Sequence, residues 1–198
     1  NGVVVSIGHS NATYEQANEA IAAGACHCTH LFNAMSGFHH RAPGIPGAVL
    51  VSDEIMAELI VDGVHLHAGS VKLALKAKGL DKLILVTDAM RARCLGNGDF
   101  DLGGQSVKVD GMEARLDSGV LAGSVLTQYQ ALKLFIEQIG ADLVDLADAV
   151  KLSSENPAKQ LNVFHMYGSL EPGKIADMVV LDKNLDVKNT YIEGDCVF

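Results

Sequence analysis

Four polar residues stand where short apolar runs give out. His9 follows Val3-Val4-Val5-Ser6-Ile7-Gly8, and His30 follows Ala25-Cys26-His27-Cys28-Thr29. His65 follows Leu59-Ile60-Val61-Asp62-Gly63-Val64, and Asp88 follows Leu83-Ile84-Leu85-Val86-Thr87. Neutral imidazoles suit zinc and other divalent first-row metals, and a carboxylate beside them can move a proton. A lone histidine at a strand end is more often a hydrogen-bonded structural residue than a ligand. Two on successive strands, with a third and an aspartate following in order, point to a site. Catalytic zinc is held by three protein ligands plus water, and this chain offers no obvious third beside His9 and His30. Asp88 fits coordination and fits equally the base that activates a water.

These residues need elements to position them. Residues 3–8 read as a buried strand, and Thr13 with Gln16 forms a capping box that opens a helix from Tyr14 to about Ala23, with Gly24 as its stop. A second strand covers about 25–29, followed by a Gly/Pro-rich loop from Asn33 to Gly47. A third strand runs from Met56 to Val61, a helix from Ser70 to Lys78 with Gly79 ending it, and a fourth strand from Lys82 to Thr87. This alternation indicates βα units around a parallel sheet, with polar residues at the carboxyl ends as in a catalytic barrel. Parity puts Val5, Ile7 and His9 on one face and Cys26, Cys28 and His30 on another common face. Extended backbone separates Cys26 from His30 by more than ~12 Å, so both cysteines are expected in the core rather than at a metal. His27 faces the opposite way, toward the helical layer, in a structural role.

Beyond Asp88 the pattern changes. Residues 91–104 read as loop, and Val107 to Leu116 as a hairpin turning at Asp110-Gly111. Helices are expected at about 125–139 and 143–153, with a short one near 157–161 in which Pro157 suits the first turn. The tail is again strand-like over 175–182, 187–193 and 195–198, with a turn at Gly194-Asp195.

The formal net charge of −9 over 198 residues argues against a nucleic-acid surface, which needs a concentrated basic face. No apolar run approaches the ~18 residues of a membrane span, and no basic segment leads an apolar one at the N-terminus. Cysteines 26, 28, 94 and 196 form no CxxC pair, as expected for free thiols in a reducing cytoplasm. The chain starts at Asn1 inside what reads as a strand, as a fragment or trimmed chain would.

Several strings resemble one family. Gly8-His9-Ser10-Asn11-Ala12, Thr29-His30-Leu31-Phe32-Asn33-Ala34-Met35, Asp62-Gly63-Val64-His65 and Val86-Thr87-Asp88-Ala89 look like the motifs of the N-acetylglucosamine-6-phosphate deacetylases, within the amidohydrolase superfamily. Leu121-Ala122-Gly123-Ser124 also fits, and residues 168–177 resemble a closing signature of the wider superfamily. The resemblance implies the second half of a metal-dependent (β/α)8 barrel over residues 1–166, in α/β class. It implies that residues 167–198 are β-strands of a small sandwich domain.

By the same resemblance His9 and His30 are metal ligands, with zinc favoured over iron, manganese or cobalt. Asp88 is the acid/base residue, and His65 contacts the acyl oxygen or sugar. Asn33, Ala34, Leu121, Gly123 and Ser124 bind substrate. Arg41 matches an arginine that reaches the phosphate bound by the neighbouring subunit of a homodimer; a solvated charge is its plainer reading, as it is for His39 and His40. For Gly123-Ser124 the plainer reading is a turn and helix cap. Family members carry a glutamate ligand on an earlier strand, which cannot lie within this chain. Two further readings are another amidohydrolase, a cyclic amidase or deaminase, and a non-catalytic fragment that self-associates through its open sheet.

Overall fold

A computed structural model describes residues 2–140 and 142–198; Asn1 lies outside the described residues. Four short strands, β1 (Ser6–Ile7), β2 (His27–Cys28), β3 (Met56–Leu59) and β4 (Leu83–Leu85), pair in chain order in one parallel sheet. Each is shorter than its apolar run, and the expected buried strand over residues 3–8 is reduced to Ser6–Ile7, with Val3 and Val5 exposed because no strand before β1 covers them among the described residues. Ladder-like bonds nevertheless continue past the strands, from Thr29 N–H to Ile7 O (2.9 Å) and Val86 N–H to Leu59 O (3.1 Å).

Three helices connect these strands. In α1 (Tyr14–Ala22) the expected capping box forms between Thr13 and Gln16. In α2 (Gly44–Val51) the chain departs from expectation, since residues 44–47 are helical rather than loop. Glycine and proline read as breakers, yet Pro46 sits in the first turn, where its missing N–H has no intrahelical acceptor. Gly44 supplies the positive φ of 60° at the helix start, and Ser36 Oγ accepts the Ile45 N–H at 3.0 Å. Residues 44–50 are all buried, so α2 is apolar all round.

The third helix, α3 (Ala68–Lys78), starts two residues before Ser70 because His67 caps it, accepting the Gly69 N–H at 3.1 Å. The buried ammonium of Lys78 donates to the Val49 carbonyl at 3.0 Å and to the Ser52 carbonyl, closing the open end of α2. Burial, and then the charge of Lys82, push Lys78 down to about 8.

After β4 come three antiparallel strands, β5 (Gly98–Leu102), β6 (Gln105–Asp110) and β7 (Glu113–Leu116). The expected loop over 91–104 thus contains β5, whose alternation is masked by its glycine and acidic residues. Asp110 pairs with Glu113, so the tight turn is Gly111-Met112, one residue later than expected. Helix α4 (Gln128–Ile139) carries a Thr127–Gln130 capping box and drives Phe135 and Ile139 into the core. Two shorter helices, α5 (Leu146–Lys151) and α6 (Glu155–Gln160), follow, the latter starting earlier than the Pro157 signal suggested. The main core lies between the parallel sheet and these helices, with Cys28, Leu59, Leu83, Val71 and Phe135 fully enclosed.

The tail strands β8 (Met178–Leu181), β9 (Val187–Ile192) and β10 (Asp195–Cys196) form a separate antiparallel sheet. Ile192 pairs with Asp195, so the turn is Glu193-Gly194, both at positive φ (53° and 91°), rather than Gly194-Asp195.

Candidate active site

At the carboxyl ends of β1 and β2 the chain enters left-handed backbone, with φ of 45° at His9 and 31° at His30. Asp88, past the end of β4, does the same at 49°. Such conformations are costly for residues with a Cβ and gather where a side chain must be aimed. At His9 and His30 the aim is mutual. The two Nε2 atoms lie 2.8 Å apart, with the rings edge-to-face at 65° and centroids 4.7 Å apart. Two imidazole lone pairs do not converge like this unless a proton or a cation is shared between them. The His30 Nδ1 is buried without a partner, so the outer hydrogen bond that usually orients a ligating imidazole is not made here. The convergence of the two Nε2 atoms still fits two positions of a divalent metal site. Among the described residues no third His, Cys, Asp or Glu joins them in a metal-holding group.

His65 is aimed differently. Its Nδ1 lies 2.6 Å from Asp62 Oδ2, and the Asp62 side chain is wholly enclosed. The other carboxylate oxygen accepts the Val64 and His65 N–H groups at 2.8 and 2.7 Å. Burial by itself raises the Asp62 carboxyl, but the hydrogen bonds from the His65 ring and the two amides outweigh it and hold the group below the usual carboxylate range. Nδ1 being engaged, Nε2 is the edge His65 has left for a ligand. Sequence reasoning passed over Asp62; its signal was a charged residue three positions before a histidine inside an otherwise apolar run.

Asp88 is braced through its backbone while its side chain stays exposed. Its carbonyl accepts the Ser124 N–H at 2.8 Å, and the Ser124 carbonyl accepts the Met90 N–H at 2.9 Å. Ser124 Oγ donates to the Thr87 carbonyl and accepts the Leu126 N–H at 3.1 Å. Ser124 is thus tied at once to Thr87, Asp88 and Met90, while Leu121 and Ala122 pair back onto β7. Gly123 makes the close approach possible: at φ 66°, a Cβ there would stand 3.0 Å from the Asp88 carbonyl oxygen. Gly123→Ala is expected to cost about 1–2 kcal/mol from the left-handed backbone alone. Displacement of Asp88 should lower turnover further than the melting shift accounts for. Thermal melts beside kcat check this; unchanged kcat in the folded variant would refute the bracing.

Asn33 and Ala34 lie in the turn after His30. Asn33 Nδ2 donates to the His30 and Leu31 carbonyls at 3.3 and 3.2 Å, and Ala34 is exposed at φ 47°. Arg41 stands apart on an exposed loop, its Nη1 2.7 Å from His40 Nε2. Cys28 is fully buried as expected, but Cys26 is only half-buried and lies outside the core, its Sγ 3.6 Å from the Gln160 amide. His27 is buried against the Glu58 carboxylate at 2.9 Å, a structural contact to a neighbouring strand rather than to a helix.

The sequence profile of the Amidohydrolase family matches residues 1–197. The chain belongs to the amidohydrolase family. Among its amidohydrolase relatives, an N-acetylglucosamine-6-phosphate deacetylase of Lysinibacillus sphaericus is 48% identical over 98% of this chain and 49% of its own length. An N-acetylgalactosamine-6-phosphate deacetylase of Escherichia coli O157:H7 is 40% identical over 97% of this chain and 50% of its own. A solved structure of a Mycobacterium smegmatis N-acetyl-D-glucosamine-6-phosphate deacetylase, in complex with N-acetyl-D-glucosamine-6-phosphate, superposes with a TM-score of 0.93 at 36% identity. It covers 99% of this chain and 51% of that one. The chain spans about half the length of the curated relatives it matches. No helix among the described residues is long and apolar enough to cross a membrane.

Proposed function

We propose that this chain carries the reacting residues of a metal-dependent deacetylase that hydrolyses N-acetylglucosamine 6-phosphate to glucosamine 6-phosphate and acetate. The observation that carries the reading is the meeting of His9 Nε2 and His30 Nε2 at 2.8 Å, at adjacent ends of a parallel sheet. In this reading His9 and His30 hold a divalent cation, zinc in preference to iron, manganese or cobalt. Bound there, it would supply Lewis-acid polarisation of the amide carbonyl and a water acidified to a pKa of about 7.

The chain's own groups do the rest. Asp88, exposed and braced by Ser124, takes the attacking water's proton and returns it to the departing amine. His65, held through Nδ1 by Asp62, presents Nε2 to the carbonyl oxygen; with both ring nitrogens protonated, Nε2–H donates to the charge that grows there. Asn33, Ala34, Leu121, Gly123 and Ser124 are proposed to bound the sugar, largely through backbone. Arg41, on its exposed loop, is proposed to reach the phosphate bound by a second copy in a cytoplasmic homodimer; a guanidinium fork suits that anion. Residues 1–166 are read as the last four βα units of a closed barrel and 167–198 as strands of a small sandwich.

The test is acetate release by the full-length protein, with the phosphorylated sugar and its unphosphorylated form side by side. A kcat/KM at least about ten-fold higher with the phosphate is expected, since a hydrogen bond to a charged group contributes about 1.5–3 kcal/mol. Comparable rates without phosphate, or hydrolysis of cyclic amides instead, would sink the reading. The galactosamine epimer belongs in the same assay, because a relative at 40% identity acts on it by name.

A further inference from the structure

Glu58 is a carboxylate in the middle of β3, between the buried Ala57 and Leu59. Its two oxygens have separate partners. Oε1 lies 2.9 Å from His27 Nε2, and Oε2 accepts the backbone N–H of His30 at 3.2 Å. The Glu58 main-chain carbonyl also accepts the N–H of the next residue, Leu31, at 2.9 Å. One residue therefore grips both amides at the point where β2 ends and the backbone turns left-handed. An ordinary parallel ladder leaves every second amide of a strand facing away from a given neighbour. Here the side chain reaches round to collect the His30 amide, and His27 fixes that side chain from the other end.

We propose that Glu58 is a positioning residue: its carboxylate holds the His30 amide, and so the left-handed turn that brings His30 Nε2 to His9 Nε2, with His27 as the brace. The functional part of this rests on the metal-site reading above; the geometric part does not. His27 thereby acquires a purpose that its place outside the reacting set leaves open, and Glu58 acts only through His30.

Backbone hydrogen exchange on the full chain separates a local grip from general stabilisation, since Leu31 is an internal control. In Glu58→Ala the His30 amide should exchange at least about ten-fold faster, while Leu31, held by main chain, keeps its protection. Glu58→Gln retains an oxygen acceptor and should keep His30 protected. Glu58→Asp keeps the charge but draws it back by one carbon, so it should release His30 as alanine does, and it serves if the alanine variant does not fold. Equal acceleration at His30 and Leu31, or none at His30 in either shortened variant, overturns the proposal. Titration of Co²⁺ into the same proteins tests the metal reading independently: weaker binding in the shortened variants supports Glu58 as its support, and unaltered binding overturns that part.

Discussion

Asp88→Asn should remove turnover of the phosphorylated acetamido sugar, by about 10²–10⁴-fold or more, and leave metal content unchanged. The substitution is close to isosteric and the side chain is exposed, so no buried partner is lost. What fixes the residue in place is its backbone, through the Ser124 N–H at 2.8 Å and the left-handed turn at φ 49°. Both survive a change confined to the carboxylate. The amide keeps an acceptor for a water but cannot take its proton, which isolates the proton-transfer role from positioning. Metal analysis of the purified variant decides between the two uses of an aspartate at this point. Metal retained with turnover lost assigns proton transfer; metal lost makes Asp88 a required ligand and removes the acid/base assignment.

The candidate residues stood out because polar groups interrupt apolar runs, a local signal that survives without any knowledge of pairing, and of these the structure brings His9 and His30 into contact. Their aim gave no such signal. The left-handed backbone at His9, His30 and Asp88 follows from sheet ends meeting neighbours, and nothing in the residue types announces it. The same holds for Glu58, whose partners His27 and His30 lie 31 and 28 residues away and meet it only through the register of β2 on β3. Among elements, the βα rhythm was visible while α2 was not. Its Gly44, Pro46 and Gly47 carry breaker signals, yet burial of its whole surface decides its conformation. The strand β5 was hidden for the opposite reason: Gly98, Asp99 and Asp101 read as loop, and pairing with β6 on a small satellite core makes them strand. Tertiary burial and register, which act across tens of residues, overrode local propensity in each case.

The largest structural effect is expected at Asp62, where charge, fold and site are joined. Its enclosed carboxylate takes three hydrogen bonds, from the His65 ring and the Val64 and His65 amides. Asp62→Ala leaves all three donors without their acceptor and should cost about 3–5 kcal/mol. That corresponds to a fall in Tm of roughly 6–20 °C at this chain length. The cost should depend on pH in one direction only. Because the folded carboxyl sits below its usual range, its contribution is complete above the unfolded value near ~3.9 and is lost as pH falls through the lower folded value. The stability gap between wild type and Asp62→Ala should therefore be flat from neutral pH down to about 5 and narrow below about 4. Asp62→Asn separates the site from the fold. Oδ1 can still accept the two amides, but an amide NH₂ now meets His65 Nδ1 and forces the proton to Nε2, so the ring loses its anionic partner. The Nε2–H donor survives but the ring's positive charge does not, so turnover should drop by about ten-fold, less than removal of an oxyanion donor would cost, with a smaller loss of stability than in the alanine variant. A folded Asp62→Asn enzyme with wild-type kcat would show that the charge Asp62 sustains on His65 does not matter to the reaction. The assignment of His65 as a charged donor to the oxyanion would then fall.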